Sequence, residues 1–160
     1  MATSQKNLSK HNNTASAEGM KIAIVVAEWN TEITEGLKKG AHETLIQQGI
    51  YERNLSVHYV PGCFELPLAA QTLLEKGNID AVICIGCVIR GETSHFDYVC
   101  QGTTFGIQTV SLKYNKPVVF CVLTDDNIDQ SRDRSGGKHG NKGVEAAVTA
   151  IKMIALQKEI

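Results

Sequence analysis

The chain has 160 residues, 42% of them hydrophobic, which is enough for one globular domain built around one core. Its 16 basic and 17 acidic residues nearly cancel to a net charge of -1, so no global field favours nucleic acid or an anionic membrane surface. No apolar run approaches the roughly 20 residues that cross a bilayer, and the N-terminus lacks the apolar core of a secretory signal, so we expect a cytoplasmic protein.

The N-terminal segment, residues 1–19, is polar and is predicted to be a flexible tail, or alternatively to add as an edge strand to a neighbouring subunit. Residues 20–160 are predicted to form a single domain. Within it, short apolar runs typical of strands alternate with stretches in which apolar residues recur every three or four positions, as in helices. The predicted strands cover residues 21–27, 55–60, 81–89 and 117–124, with helices between them and over the remainder of the chain.

Four strands alternating with helices predict an α/β fold: a flavodoxin-like three-layer sandwich with a four-stranded, mostly parallel sheet and helices on both faces. Ligands of such sheets bind beyond the carboxyl ends of the strands. These ends point to residues 29–30, 61–65, 86–95 and 120–126 as the place to look for function.

The five cysteines include the pair Cys84 and Cys87, which matches the C-x-x-C pattern of metal and redox sites. Both lie in a strand-like apolar run, where side chains three residues apart point to opposite faces. We therefore expect buried, reduced thiols and no metal site.

Two strand-end residues suit a flat, polar ligand. Trp29 either stacks on a heterocycle or packs under a neighbouring loop. Glu65, in "PGCFELP", either accepts hydrogen bonds from a ligand or is a solvated carboxylate in the first turn of a helix.

The stretch "GCVIRGETSHFDYVC" runs from the third predicted strand into a helix. Ser94 and Asp97 match a capping box, which predicts a helix that begins at His95. The start of a helix binds anions through its dipole and unpaired backbone N–H groups, and the same positive end favours a neutral imidazole. His95 is therefore predicted to transfer protons beside an anion site; the alternative is an ordinary surface histidine.

Residues 132–143, "RDRSGGKHGNKG", form a basic, glycine-rich loop in a nearly neutral chain. Arg134 could bind a phosphate through two parallel hydrogen bonds. Equally, basic residues at the end of a helix could simply complement its dipole.

Five segments in this order, "EWN", "PGCFELP", "IGCVIRGETSHFDYV", "FCVLTDDNIDQSRDRSGG" and "KHGNKGVEAA", resemble the motifs of the 6,7-dimethyl-8-ribityllumazine synthase family. The resemblance covers about residues 20–158. It implies a transferase that condenses 5-amino-6-(D-ribitylamino)uracil with 3,4-dihydroxy-2-butanone 4-phosphate, the penultimate step of riboflavin biosynthesis, without a metal or other cofactor.

The resemblance also implies roles for individual residues. It assigns butanone phosphate binding to Glu92, Thr93 and Arg134, and proton transfer to His95. The residues that it assigns to the ribitylaminouracil are Trp29, Cys63, Phe64, Glu65, Cys87, Val88, Ile89, Phe120 and Lys142. Cys63 departs from the small Ser, Thr or Ala expected there, which puts any hydroxyl contact at this position in doubt.

The family further implies a homo-oligomer whose active sites lie between neighbouring subunits, with Phe120, Arg134 and Lys142 reaching the adjacent site. The expected assembly is a pentamer or, because the "GGKHGNKG" segment is compact, a sixty-subunit shell; riboflavin synthase is a candidate partner. Three other functions stay open on the residues alone: a non-catalytic flavin or lumazine carrier, a phosphoacceptor signalling domain and a structural shell protein. The signalling domain fits poorly, because it needs acidic residues at the ends of its first and third strands, and the third strand end, "GCVIRG", offers no Asp.

Overall fold

The structure is a computed structural model and describes residues 16–160; most of the predicted tail, residues 1–15, lies outside the described residues. Its main sheet has four parallel strands in the spatial order β2-β1-β3-β4. These strands are β1 (Ile22–Ala27), β2 (Leu55–Val60), β3 (Ala81–Ile89) and β4 (Val118–Asp125). The four predicted strands and their parallel arrangement are thus confirmed.

Helices cover both faces of this sheet. They are α1 (Thr31–Gln47), α2 (Leu66–Lys76), α3 (His95–Tyr114), α4 (Ile128–Arg134) and α5 (Lys142–Glu159). Helices α1 and α5 bury residues such as Leu37 and Ile151 against one face, while α2 and α3 bury Leu66 and Ile107 against the other. The predicted three-layer α/β sandwich is therefore confirmed, with one apolar core on each side of the sheet.

The C-x-x-C pair shows the alternation of a strand covered on both faces. Cys84 lies in the core beneath α2 and α3, whereas Cys87 lies in the core beneath α1 and α5. Burial raises the pKa of both thiols, and all five cysteines are free. The two sulfurs face opposite sides of the sheet, as the spacing predicted.

The segment after β4 differs from a continuous helical remainder. The short helix α4 leads into an antiparallel hairpin of β5 (Ser135–Gly137) and β6 (Gly140–Asn141), and only then does α5 begin. Gly136 and Gly140 have positive φ angles of 131° and 77°, which are accessible to glycine and let the chain reverse. The basic loop of the sequence is this hairpin and the end of α4.

The described part of the predicted tail packs against the domain. Ala17 is fully buried, and its backbone N–H donates a 3.0 Å hydrogen bond to the carbonyl of Gln48, just beyond α1. Between residues 16 and 160, no helix is long and apolar enough to cross a membrane.

Candidate functional site

The carboxyl ends of β1 and β2 bring an indole and a carboxylate together. The Glu28 N–H donates a 2.9 Å hydrogen bond to the Val60 carbonyl, which aligns the two loops that follow these strands. A Cβ atom placed on Gly62 would lie 3.6 Å from Cδ1 of Trp29 and 3.1 Å from Oε2 of Glu65. Trp29 is 72% exposed, so no loop of the described chain covers it, and its ring face is open to a ligand.

Asn30 holds this corner against the neighbouring strand. Its backbone is left-handed, with φ 57° and ψ 49°, a conformation that asparagine tolerates better than most residues. Its side-chain amide donates a 2.9 Å hydrogen bond to the carbonyl of Cys87 on β3. The sequence placed Asn30 at a strand end, but nothing in the residue pattern indicated this bond.

Cys63 and Phe64 follow β2 with opposite exposures. Cys63 is buried, and its sulfur lies so close to Gly86 on β3 that a side chain there would collide with it. Burial raises the pKa of the Cys63 thiol to about 12, so the thiol is protonated and not nucleophilic at neutral pH. Phe64 is exposed and lies against Gly102 of α3.

The loop between β3 and α3 exposes the side chains of Glu92, Thr93 and His95, next to the half-buried Val88 and Ile89. Helix α3 does begin at His95, as predicted. The capping box does not form, however, because the Ser94 side chain makes no capping hydrogen bond. Instead, the His95 backbone N–H donates to the hydroxyl of Thr93 at 3.4 Å.

Arg90 makes the side-chain contacts at the start of α3. Its guanidinium lies 4.1 Å from the centre of the Phe96 ring and forms ion pairs with Asp97 at 3.4 Å and Asp126 at 3.2 Å. Its backbone N–H also donates to the Asp125 carbonyl. Arg90 therefore ties the start of α3 to the end of β4, and sequence reasoning had given it no role.

The remaining predicted residues, Phe120, Arg134 and Lys142, line a different surface. They face a groove of about 920 Å³ that runs along the outer edge of β4 between α3 and α5. Arg134 donates a 2.8 Å hydrogen bond to the Gln130 carbonyl, and Lys142 pairs with Glu145 at 2.7 Å. One chain thus brings the β1, β2 and β3 ends together and places these three side chains along a separate groove.

The chemistry available at these positions is an exposed indole, an imidazole at a helix start, carboxylates and a guanidinium. Within residues 16–160, no group of three or more His, Cys, Asp or Glu side chains is arranged to hold a metal ion. These types of side chain are ones that can bind a flat polar ring and an anion and transfer protons.

Comparison with known proteins assigns the chain. The family model for 6,7-dimethyl-8-ribityllumazine synthase matches residues 19–158. This chain belongs to that family. Proteins of that name are 54% identical in Cytophaga hutchinsonii, over 97% of this chain and 98% of theirs, and 53% identical in Parabacteroides distasonis, over 96% and 98%. The protein of that name from Flavobacterium johnsoniae is 52% identical over 99% of this chain and 85% of its own length.

Membership of the 6,7-dimethyl-8-ribityllumazine synthase family confirms the resemblance drawn from the sequence motifs. The individual roles that the resemblance implied stay predictions. In this chain, the residues with predicted roles fall into two groups. The first group lies at the ends of β1, β2 and β3 and the start of α3, and the second lies on the β4 groove.

Proposed function

We propose that this protein condenses 5-amino-6-(D-ribitylamino)uracil with 3,4-dihydroxy-2-butanone 4-phosphate to 6,7-dimethyl-8-ribityllumazine, as a transferase of riboflavin biosynthesis. The observation that carries this proposal is the family match over residues 19–158, with relatives of that name about half identical over nearly the whole chain. Membership of a family that acts on small-molecule substrates argues against a phosphoacceptor signalling domain.

The ring of the ribitylaminouracil would stack on Trp29, whose face is open, with Glu65 accepting hydrogen bonds beside it. Cys63 and Phe64 would line the ribityl chain. Because the Cys63 sulfur is buried against Gly86, its contribution there would come from its backbone.

The butanone phosphate would bind at the start of α3, beside Glu92 and Thr93, with its phosphate held by Arg134. Condensing an amine with a ketone requires protons to reach the oxygen that leaves as water. His95, exposed at the helix start, would carry these protons, while Arg134 and the helix dipole stabilise the departing phosphate. The larger part of the rate enhancement would come from holding amine and ketone in contact.

Phe120, Arg134 and Lys142 would complete the site of an adjacent subunit. Their place on the β4 groove, apart from the other site residues, supports this division of labour. The assembly would be a pentamer or a sixty-subunit shell, located in the cytoplasm, with riboflavin synthase as a candidate partner. A molar mass from light scattering equal to that of a free pentamer would remove the shell.

The direct test is to mix the purified protein with both substrates and follow the absorbance and fluorescence of the lumazine together with released phosphate. The enzyme is expected to yield both products in equal amounts. A carrier would bind the lumazine but release no phosphate. A structural shell would neither bind the lumazine nor release phosphate.

A further inference from the structure

Three polar side chains form a buried chain of hydrogen bonds at the carboxyl end of the sheet. The Cys87 thiol donates to the Ser131 hydroxyl at 3.4 Å, and this hydroxyl donates to Oδ2 of Asp125 at 2.7 Å. Ser131 is fully buried, Asp125 is 8% exposed and Cys87 is 2% exposed. These two hydrogen bonds join the middle of α4 to the ends of β3 and β4.

Buried polar groups are costly unless they are paired, so a fully paired set selects one arrangement of the elements that carry it. Helix α4 has only seven residues, and propensity alone cannot hold so short a helix in place. Ser131 is the residue through which α4 reaches into the sheet, because it hydrogen-bonds to both strands.

The orientation of α4 determines where the Arg134 side chain lies. This arginine is the last residue of α4, three positions after Ser131, and its guanidinium donates to the carbonyl of Gln130 on the same helix. A rotation of α4 would therefore carry the guanidinium with it.

A second anchor of α4 lies in solvent. Arg132 pairs with Glu32 on α1 at 2.9 Å and with Asp129 at 3.1 Å, but these side chains are exposed, so water and salt screen both pairs. The buried Asp125–Ser131 bond is not screened in this way and sets the position of α4 more firmly.

We propose that Asp125 and Ser131 are positioning residues for phosphate recognition: they fix α4 against the sheet so that Arg134 meets the butanone phosphate in one orientation. This inference rests on the phosphate role given to Arg134 under the proposed function. Neither Asp125 nor Ser131 needs to touch substrate.

The test is steady-state kinetics of Ser131→Ala with each substrate varied in turn. The KM for the butanone phosphate is expected to rise by on the order of tenfold, because the guanidinium loses its fixed placement. The KM for the ribitylaminouracil should stay within about twofold of the parent value, because Trp29 and Glu65 lie on other loops and the Cys87 backbone is held in the sheet by its strand pairing. Inhibition by inorganic phosphate should weaken in parallel with the first change.

Two further variants separate positioning from loss of stability. Ile22→Val trims a buried residue at the opposite end of the sheet, so it should lower Tm without changing either KM. Adding Asp125→Asn to Ser131→Ala replaces the unpaired buried carboxylate with a neutral amide, so Tm should recover in part while the KM for the butanone phosphate stays raised. If that KM returns to the parent value with Tm, or if both KM values rise together, the positioning role is overturned.

Arg134→Lys, measured alongside, separates the phosphate role of Arg134 from the positioning role of Asp125 and Ser131. If it leaves the KM for the butanone phosphate unchanged, the phosphate role of Arg134 fails, and the inference fails with it. If it raises that KM while Ser131→Ala does not, only the inference on Asp125 and Ser131 is overturned.

Discussion

His95 opens α3 with an exposed imidazole, and its backbone N–H is bound by the hydroxyl of Thr93. His95 is the first residue of a regular helix and follows the short loop after β3, so its ring is held near the ends of β1, β2 and β3. Cys63 illustrates the opposite case, since burial raises its pKa to about 12 and removes it as a nucleophile. The His95 imidazole is the side chain at this corner to which the proposed function gives proton transfer.

Replacing His95 with alanine is expected to lower turnover by on the order of 10²-fold or more, because a positioned proton-transfer group contributes about that factor. The rate of lumazine formation with both substrates saturating measures this loss. His58→Ala is the matched control, since the His58 side chain is exposed on β2 and hydrogen-bonds only to Ser56 among the described residues. Near-parent turnover in His95→Ala would show that another group relays the protons.

The starts of α3 and α5 differ in how they are held. Helix α5 begins after Asn141, whose side-chain oxygen accepts a 2.8 Å hydrogen bond from the Gly143 N–H. The same side chain donates to the carbonyls of Gly36 on α1 and Ser135 on β5. Helix α3 has no such side-chain cap at Ser94. Asn141 thus joins three elements, whereas Ser94 joins none.

Asn141→Ala should therefore lower the free energy of unfolding by about 2 kcal/mol, since it removes a cap and leaves two carbonyls without their donor. Ser94→Ala, also at the start of a long helix, should change it by less than about 0.5 kcal/mol, because no capping bond is lost. Urea unfolding of both variants measures the difference. Equal losses would mean that the Ser94 hydroxyl does cap α3 in solution.

On the scale of the whole molecule, one chain separates the two groups of predicted site residues. Trp29 and His95 lie at the strand ends and the start of α3, while Phe120, Arg134 and Lys142 lie on the β4 groove. The groove also follows the outer edge of the sheet, where β4 has no neighbouring strand among the described residues. A complete site built between subunits would explain both features.

Co-expression of His95→Ala with Arg134→Gln tests that arrangement. Each variant alone should be nearly inactive, but in an equal mixture about a quarter of the interfaces would combine one intact His95 with one intact Arg134. Activity of the mixed assembly should recover to about that fraction of the parent. Co-expressing His95→Ala with the double variant supplies no intact His95 and should recover nothing. A site contained in one chain would give no recovery in either mixture.

The buried thiols predict how stability depends on pH. Burial raises the pKa of Cys63 and Cys121 from 9.0 to about 12, so the folded chain keeps protons that the unfolded chain releases in this range. Their contribution is complete below pH 9 and is lost as the pH rises toward 12. Each thiol should lower the free energy of unfolding by up to about 1.4 kcal/mol per pH unit in this window.

Urea unfolding between pH 8 and 10.5 measures this slope. Cys121→Val should make the slope shallower, because it removes one of the ionising groups, whereas Val122→Ala should lower stability at every pH with an unchanged slope. Parallel curves for the parent and Cys121→Val would contradict the assignment.

The sequence by itself determined the strands, the layers and the family of this protein. Runs such as residues 81–89 are almost continuously apolar, as expected of central strands, and their alternation with helical stripes indicates parallel crossovers. The motif order identified the family without any contact being known. These features are local or depend on chain order, so they are readable from the residues.

Only the tertiary structure decided which residues meet. Asn30 with Cys87, Arg90 with Asp126, and Asp125 with Ser131 are pairs whose partners the chain brings together through folding, and hydrogen-bond partners leave no period in a sequence. The capping box at Ser94 was predicted from spacing but does not form: the Ser94 side chain makes no capping hydrogen bond, and the Asp97 carboxylate pairs with Arg90. The hairpin between α4 and α5 likewise follows from packing around the sheet rather than from local propensity.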